Sequence, residues 1–209
     1  MKLVNMLARK NIVASLGHSD ARLTEVLQAI DNGASHVTHF FNAMSPLNHR
    51  EPGLAGTALY SADLSVEIIA DGFHIHPWIM GLTVNNKTPG LTCLITDAMS
   101  PMDLPEGKYE SMGRHIVLEN GRLSLAEDSS ILAGSVLSMD RALGNVINML
   151  GISVVDAVTM ASTTPASVIG LENRKGVIEK GFDADITVID RTFKTKLTVV
   201  MGKIVFKNC

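Results

Sequence analysis

The sequence predicts an α/β protein built on a parallel sheet, and three observations predict it. Between Asn11 and Thr96, short apolar runs alternate with amphipathic segments, the pattern of strand, helix and parallel strand. Aromatic residues are 4% of the 209, so aliphatic side chains and 11 methionines must build the core, which favours α/β over a β-sandwich alone. Hydrophobic residues at 46% and charged ones at 19% are the balance of a globular interior, and a chain of this length can bury one.

Taken in order, residues 1–10 read as a helix packed on a sheet, with Leu3, Val4, Met6 and Leu7 inward. Asn11 to Gly17 reads as a short buried strand, after which Ser19 is expected to cap a helix with Asp20 in its first turn. Leu23, Val26, Leu27 and Ile30 give that helix one apolar stripe, and Asn32-Gly33 is its stop. A second strand is expected from Ser35 to His39, then a long irregular loop to Gly56. Ser65 to Ala70 and Leu91 to Thr96 read as strands three and four, with a helix from near Pro77 to Asn85 between them. Arg114 to Leu118 and Arg122 to Leu125 flank Glu119-Asn-Gly121, which predicts a β-hairpin excursion within residues 107–127. Ser138 to Leu150 is a helix with Met139, Leu143, Val146, Ile147 and Leu150 on one side and Gly151 as its stop; Ser153 and Asp156 then start another. Beyond Pro165, Gly176, Gly181 and Gly202 punctuate β-rich pieces, Ala184 to Asp190 and Leu197 to Phe206, expected to belong to a second, antiparallel module. Four parallel strands fall short of the eight of a closed barrel, which typically takes ~250 residues. The pattern fits a smaller open sheet or a chain that begins inside a larger protein.

A formal charge of −3, from 18 basic and 21 acidic residues, excludes nucleic-acid tracking by bulk charge. Two cysteines, Cys93 and Cys209, make no disulfide framework, which points to a reducing cytoplasm. The first ten residues lack the apolar stretch of a secretory signal, and no run approaches the roughly 18 apolar residues that a membrane span needs.

Four polar residues fall at or just beyond the apolar runs: His18, His39, His74 and Asp97. Parallel α/β sheets bind ligands at these strand ends. A lone histidine there is more often a hydrogen-bonded structural residue, but four in register point to a shared site. Neutral imidazole and carboxylate from different strands suit a divalent metal, zinc or iron, that activates water, and the constellation suggests hydrolysis. His36 stands three residues before His39, an odd spacing that sends it to the opposite face, so it is expected to be structural. His74 and His76 have the same-face spacing of a two-histidine clasp, a competing use, although Pro77 places His76 in the loop before a helix. His49 and His115 are expected to be solvated. In the loop after His39, Arg50 beside Asn42 and exposed backbone amides could be an ordinary solvated charge or a site for anionic oxygens such as phosphate.

The motifs Gly17-His-Ser-Asp-Ala21, His36-Val-Thr-His-Phe-Phe-Asn-Ala-Met44, Arg50-Glu-Pro-Gly-Leu-Ala-Gly56, Ala70-Asp-Gly-Phe-His74, Thr96-Asp-Ala98, Leu132-Ala-Gly-Ser135 and Ala161-Ser-Thr-Thr-Pro-Ala166 resemble, in order, those of the N-acetylglucosamine-6-phosphate deacetylases of the amidohydrolase superfamily. Gly176 to Val188 resembles the point where amidohydrolases leave the barrel for a small β-sandwich. The resemblance covers essentially the whole chain and implies the second half of a (β/α)8 TIM barrel over residues 1–170, with the hairpin inserted at about 107–127 and part of a β-sandwich at 171–209. It implies His18 and His39 as metal ligands, for zinc or else iron, and Asp97 as the catalytic aspartate. His74 would polarise the acetyl carbonyl; Asn42, Ala43, Leu132, Ala133 and Gly134 would contact substrate, and Arg50 its phosphate. The glutamate that gives the family its third metal ligand has no counterpart here. The implied reaction is metal-assisted hydrolysis of a phosphorylated N-acetyl amino sugar to acetate and the free amine, by a homo-oligomer, a dimer in the family. The shortened form is expected to be inactive alone. A galactosamine-specific deacetylase, another amidohydrolase such as a deaminase or cyclic amidase, and a non-catalytic remnant stay open.

Overall fold

A computed structural model describes residues 1–208, so Cys209 lies outside the described residues. The chain opens with α1 (Lys2–Ala8), followed by β1 (Ala14–Leu16), α2 (Leu23–Asp31), β2 (Ala34–Val37), α3 (Gly53–Tyr60), β3 (Ser65–Ile69), α4 (Pro77–Lys87) and β4 (Thr92–Ile95). The four strands pair in parallel in chain order, β1-β2-β3-β4. Alternation along the strands gives the sheet two unlike faces. Val37, Val66, Ile68 and Leu94 turn to the helices, where they pack with Val26, Leu54, Ala58, Met80 and Val84. His36, Ser65 and Glu67 turn the other way and bond one another.

Several helices depart from the sequence expectation for reasons the packing supplies. Val4 and Leu7 of α1 pack against Ala14, Ala29 and Ala34, whereas Leu3 and Met6, expected inward, are exposed. Ser19 does not cap α2; it bridges to Met44, and the helix begins later, with the Glu25 carboxylate accepting the Arg22 N–H at 2.9 Å. On α2 the buried row is Val26 and Ala29, and Leu27 faces outward. The loop expected to reach Gly56 ends earlier, because α3 begins at Gly53. That helix is buried along Gly53 to Ala58, so its sequence carries no polar face to betray a helical period.

After β4 the chain forms an antiparallel meander, β5 (Gly107–Ser111), β6 (Arg114–Glu119) and β7 (Arg122–Leu125). Asn120 and Gly121 turn β6 into β7 with φ of 51° and 72°, the positive values a two-residue hairpin turn needs. β5 was outside the sequence expectation. Then α5 (Met139–Leu150) presents Ala142, Leu143 and Val146 to the core while Met139 stays at the surface, and Gly151 ends it in the left-handed conformation. Ser153 accepts the Asp156 N–H at 3.0 Å and starts α6 (Val154–Val158), which runs through a π-helical turn, Thr159–Thr163, into α7 (Thr164–Val168). The last strands, β8 (Ile186–Ile189), β9 (Thr195–Val200) and β10 (Lys203–Lys207), form a separate antiparallel sheet in the order β10-β9-β8. Leu197 to Phe206, read as one piece, is two strands about Met201-Gly202. Among the described residues no helix is long and apolar enough to cross a membrane.

Candidate active site

The C-terminal ends of the parallel strands bring the expected residues to one edge of the sheet. His18, His39 and Asp97 each stand two residues beyond the last residue of β1, β2 and β4, and each has positive φ (44°, 29° and 48°). Three non-glycine residues in that sparsely populated region, in the same register position, mark a strained edge of the kind that functional sites use. His74 is not in that position. The residue two beyond β3 is Asp71, and His74 follows three residues later.

His18 and His39 meet directly, with their Nε2 atoms 2.9 Å apart and their rings edge to face. The approach depends on Gly17, where a Cβ would sit 2.2 Å from Thr38 Cγ2. Two nitrogens bound to one zinc ion at about 2.0–2.1 Å lie roughly 2.9–3.4 Å apart for bond angles of about 90–110°. The pair therefore fits two ligands of a single divalent ion. Among the described residues no third His, Cys, Asp or Glu joins them, and His39 Nδ1 is buried without a partner.

Behind His39 stands Glu67, whose carboxylate accepts the His36 Nε2–H at 2.9 Å, the Thr38 hydroxyl at 2.8 Å and the His39 backbone N–H at 3.1 Å. Burial alone would push this carboxyl up; the hydrogen bonds from His36, Thr38 and His39 outweigh it and hold it below its ordinary value. His36, also 2.6 Å from Ser65 Oγ, is thus a buried structural residue. A charged residue inside the apolar run Ser65 to Ala70 was the sequence signal for Glu67.

The loops at this edge hold the remaining candidates. Ser19 N–H donates to Ala43 O at 3.2 Å and Ser45 N–H to Ser19 O at 2.9 Å, which sets Ala43 beside His18 in a hollow of about 320 Å³ that Asp20 and Met44 also line. Asn42 uses its Nδ2 on the carbonyls of His39 and Phe40, so the side-chain oxygen is what it has left to offer a ligand. Glu51, next to Arg50, accepts the Leu23 N–H at 2.9 Å and the Gly53 N–H at 3.3 Å, so one carboxylate caps both α2 and α3. Those bonds hold its pKa down. Arg50 itself is exposed, and its guanidinium makes no ion pair among the described residues.

Asp97 is also exposed, and its carboxylate makes no hydrogen bond among the described residues. Its backbone is fixed from the far side: Ser135 N–H donates to Asp97 O and Met99 N–H to Ser135 O, both at 2.9 Å. Gly134, φ +84°, lets this strap approach, since a Cβ there would meet Met99 Cγ at 2.5 Å. Leu132, Ala133 and Gly134 thus lead directly into the strap that pairs with the Asp97 loop. His76 accepts the Trp78 N–H at 3.3 Å as the cap of α4 and forms no clasp with His74.

The amidohydrolase family profile matches residues 2–205. An N-acetylglucosamine-6-phosphate deacetylase of Bacillus subtilis (strain 168) is 38% identical over 205 residues, 98% of this chain and 51% of that protein. An N-acetylgalactosamine-6-phosphate deacetylase of Escherichia coli O157:H7 is 33% identical over 204 residues, 98% of this chain and 53% of that one. The crystal structure of N-acetylglucosamine-6-phosphate deacetylase from Pasteurella multocida superposes with a TM-score of 0.92 at 29% identity, covering 97% of this chain and 53% of that chain. The chain thus spans about half the length of the curated relatives it matches.

Proposed function

The chain belongs to the amidohydrolase family, and on that premise we propose that it carries the C-terminal half of an N-acetylglucosamine-6-phosphate deacetylase. In this reading residues 1–170 are the second half of a (β/α)8 barrel, with the β5-β6-β7 meander inserted, and residues 171–209 are part of a small β-sandwich. The observation that carries the reading is the 2.9 Å approach of His18 and His39 on adjacent parallel strand ends, with Asp97 in the same register position on β4.

His18 and His39 would hold a divalent ion, zinc or alternatively iron, through Nε2; such an ion supplies Lewis acidity, lowering the pKa of water and polarising a carbonyl. Asp97, whose carboxylate makes no hydrogen bond among the described residues, accepts a proton from the attacking water and delivers it to the departing amine. The C–N bond of the acetamide breaks, a C–O bond forms, and acetate and glucosamine 6-phosphate leave. His74 donates a hydrogen bond to the acetyl oxygen as charge develops there. Asn42, Ala43 and Leu132 to Gly134 border the sugar. Arg50 takes the phosphate, by its bidentate geometry, within a homodimer in a reducing cytoplasm.

With two histidines and no third ligand among the described residues, and with the outer edge of β1 unpaired, the 209 residues alone are inactive in this reading. The test is acetate release from N-acetylglucosamine 6-phosphate by the chain with added zinc, and by the chain co-expressed with the N-terminal half of the Bacillus subtilis relative. Activity only in the second case supports the proposal. Full activity of the chain alone refutes the incompleteness, and no activity in either case refutes the deacetylase reading. The Escherichia coli relative favours a second reading, the galactosamine epimer; the ratio of turnover on the two sugars decides between them.

A further inference from the structure

Asp71 stands on β3 where His18, His39 and Asp97 stand on their strands, yet its carboxylate is turned inward. Oδ1 accepts the N–H groups of Phe73 at 2.8 Å and His74 at 2.9 Å, and Oδ2 lies 2.6 Å from His74 Nδ1. The two side chains are 9% and 5% exposed. Burial would push the Asp71 carboxyl up, but the hydrogen bonds from the His74 ring, His74 N–H and Phe73 N–H prevail and hold it below its ordinary value. An ionised carboxylate only accepts, so the short contact fixes a proton on His74 Nδ1.

The turn that carries the pair is braced from α5. Asn145 Nδ2 donates to Ala70 O at 2.8 Å, and Gly72, φ +81°, passes so close to Met149 that a Cβ would lie 3.1 Å from its Cε. His74 Nε2, by contrast, has no partner among the described residues and is not sealed from solvent. One ring nitrogen is locked and the other is left without a partner among the described residues.

We propose that Asp71 is the positioning residue of His74: it holds the ring with the proton on Nδ1 and presents Nε2 to the oxygen of the acyl group being hydrolysed. The carboxylate fixes the ring plane, and with Nδ1 holding its own proton, a ring that also carries a proton on Nε2 donates a hydrogen bond through it to an oxygen gaining charge. No bond to His74 forms or breaks. The target of Nε2 rests on the deacetylase reading; the lock itself does not.

The two parts are tested separately. In long-range proton–nitrogen spectra of the full chain labelled with ¹⁵N-histidine, with the His74 signals identified by their loss in His74→Asn, Nδ1 should be protonated. In Asp71→Asn that fixed protonation should be lost to tautomer averaging. An unprotonated Nδ1 in the wild-type chain, or an unchanged spectrum in the variant, overturns the lock, and the wild-type result needs no variant to fold. In the complex with the complementing half, Asp71→Asn should lower kcat by about tenfold or more with KM within about twofold, and should cost nothing further in a His74→Asn background. Equal losses with and without His74 overturn the positioning role. An intact lock in a complex that releases no acetate supports the lock and refutes the deacetylase reading instead.

Discussion

Lys87 is the last residue of α4, 2% exposed, and its Nζ donates to the carbonyl of Ser61, just past the end of α3. Burial lowers its pKa from 10.5 to about 8, with the charge of Asp63 opposing. At about 1.4 kcal/mol per pH unit, the gap corresponds to roughly 3 kcal/mol. The sign follows from proton counting. Between pH 8 and 10.5 the unfolded chain holds a proton that the folded protein has released, so stability from this group rises with pH across that window and is level on either side. Below pH 8 the full cost of the buried charge is present. Lys87→Met removes the titration and the bond to Ser61 while every other group titrates as before, so the difference between the two proteins isolates Lys87. Losing the bond and leaving Ser61 O unpaired costs about 1–3 kcal/mol, which nearly offsets the relief of the charge at pH 7. The variant should therefore match the wild type near neutrality and fall behind it by up to roughly 3 kcal/mol more at pH 10.5. Urea unfolding followed by circular dichroism at pH 6.5, 8, 9.5 and 10.5 measures the difference. A gap that stays constant with pH would show that Lys87 is no more buried, electrostatically, than a surface lysine.

Replacing both His18 and His39 by Ala should abolish zinc uptake by the chain, read by metal analysis after dialysis; unchanged metal content would place the ion elsewhere. Gly17→Ala should weaken that uptake without touching a ligand, because its Cβ meets Thr38, and equal affinity in a competition titration would contradict the close approach of β1 and β2. In the complemented enzyme Asp97→Asn should lower kcat by at least ~100-fold with little change in KM, the low end for a positioned acid–base group; near-normal turnover would move the proton transfer to another residue. Arg50→Ala should raise KM for the phosphorylated sugar and leave activity on unphosphorylated N-acetylglucosamine unchanged, and comparable losses on both would remove the phosphate role.

What the sequence determined by itself was whatever depends on near neighbours. The parallel strands were legible as short apolar runs between amphipathic helices, and the β6-β7 hairpin as Asn-Gly, because residue 120 and residue 121 must both take positive φ. The placement of His18, His39 and Asp97 at the strand ends was legible because the end of an apolar run locates the end of a strand. Capping by Ser153, which spans three residues, was legible for the same reason. The tertiary structure alone decided what joins distant parts of the chain. Glu51 caps α2 from 28 residues away, and the local candidate Ser19 bridges to Met44 instead. Glu67 holds His36 from 31 residues away. A locally apolar segment became α3 because its whole surface found cover, and no period in its sequence could say so. Asp71 was hidden for a different reason: the histidine of its motif carries the obvious chemistry, and only the folded turn brings the carboxylate to Nδ1 of that ring. Local preference is set by the backbone and the next few side chains, whereas a site's geometry is set by contacts between residues that only the packing of separate βα units brings within hydrogen-bonding distance.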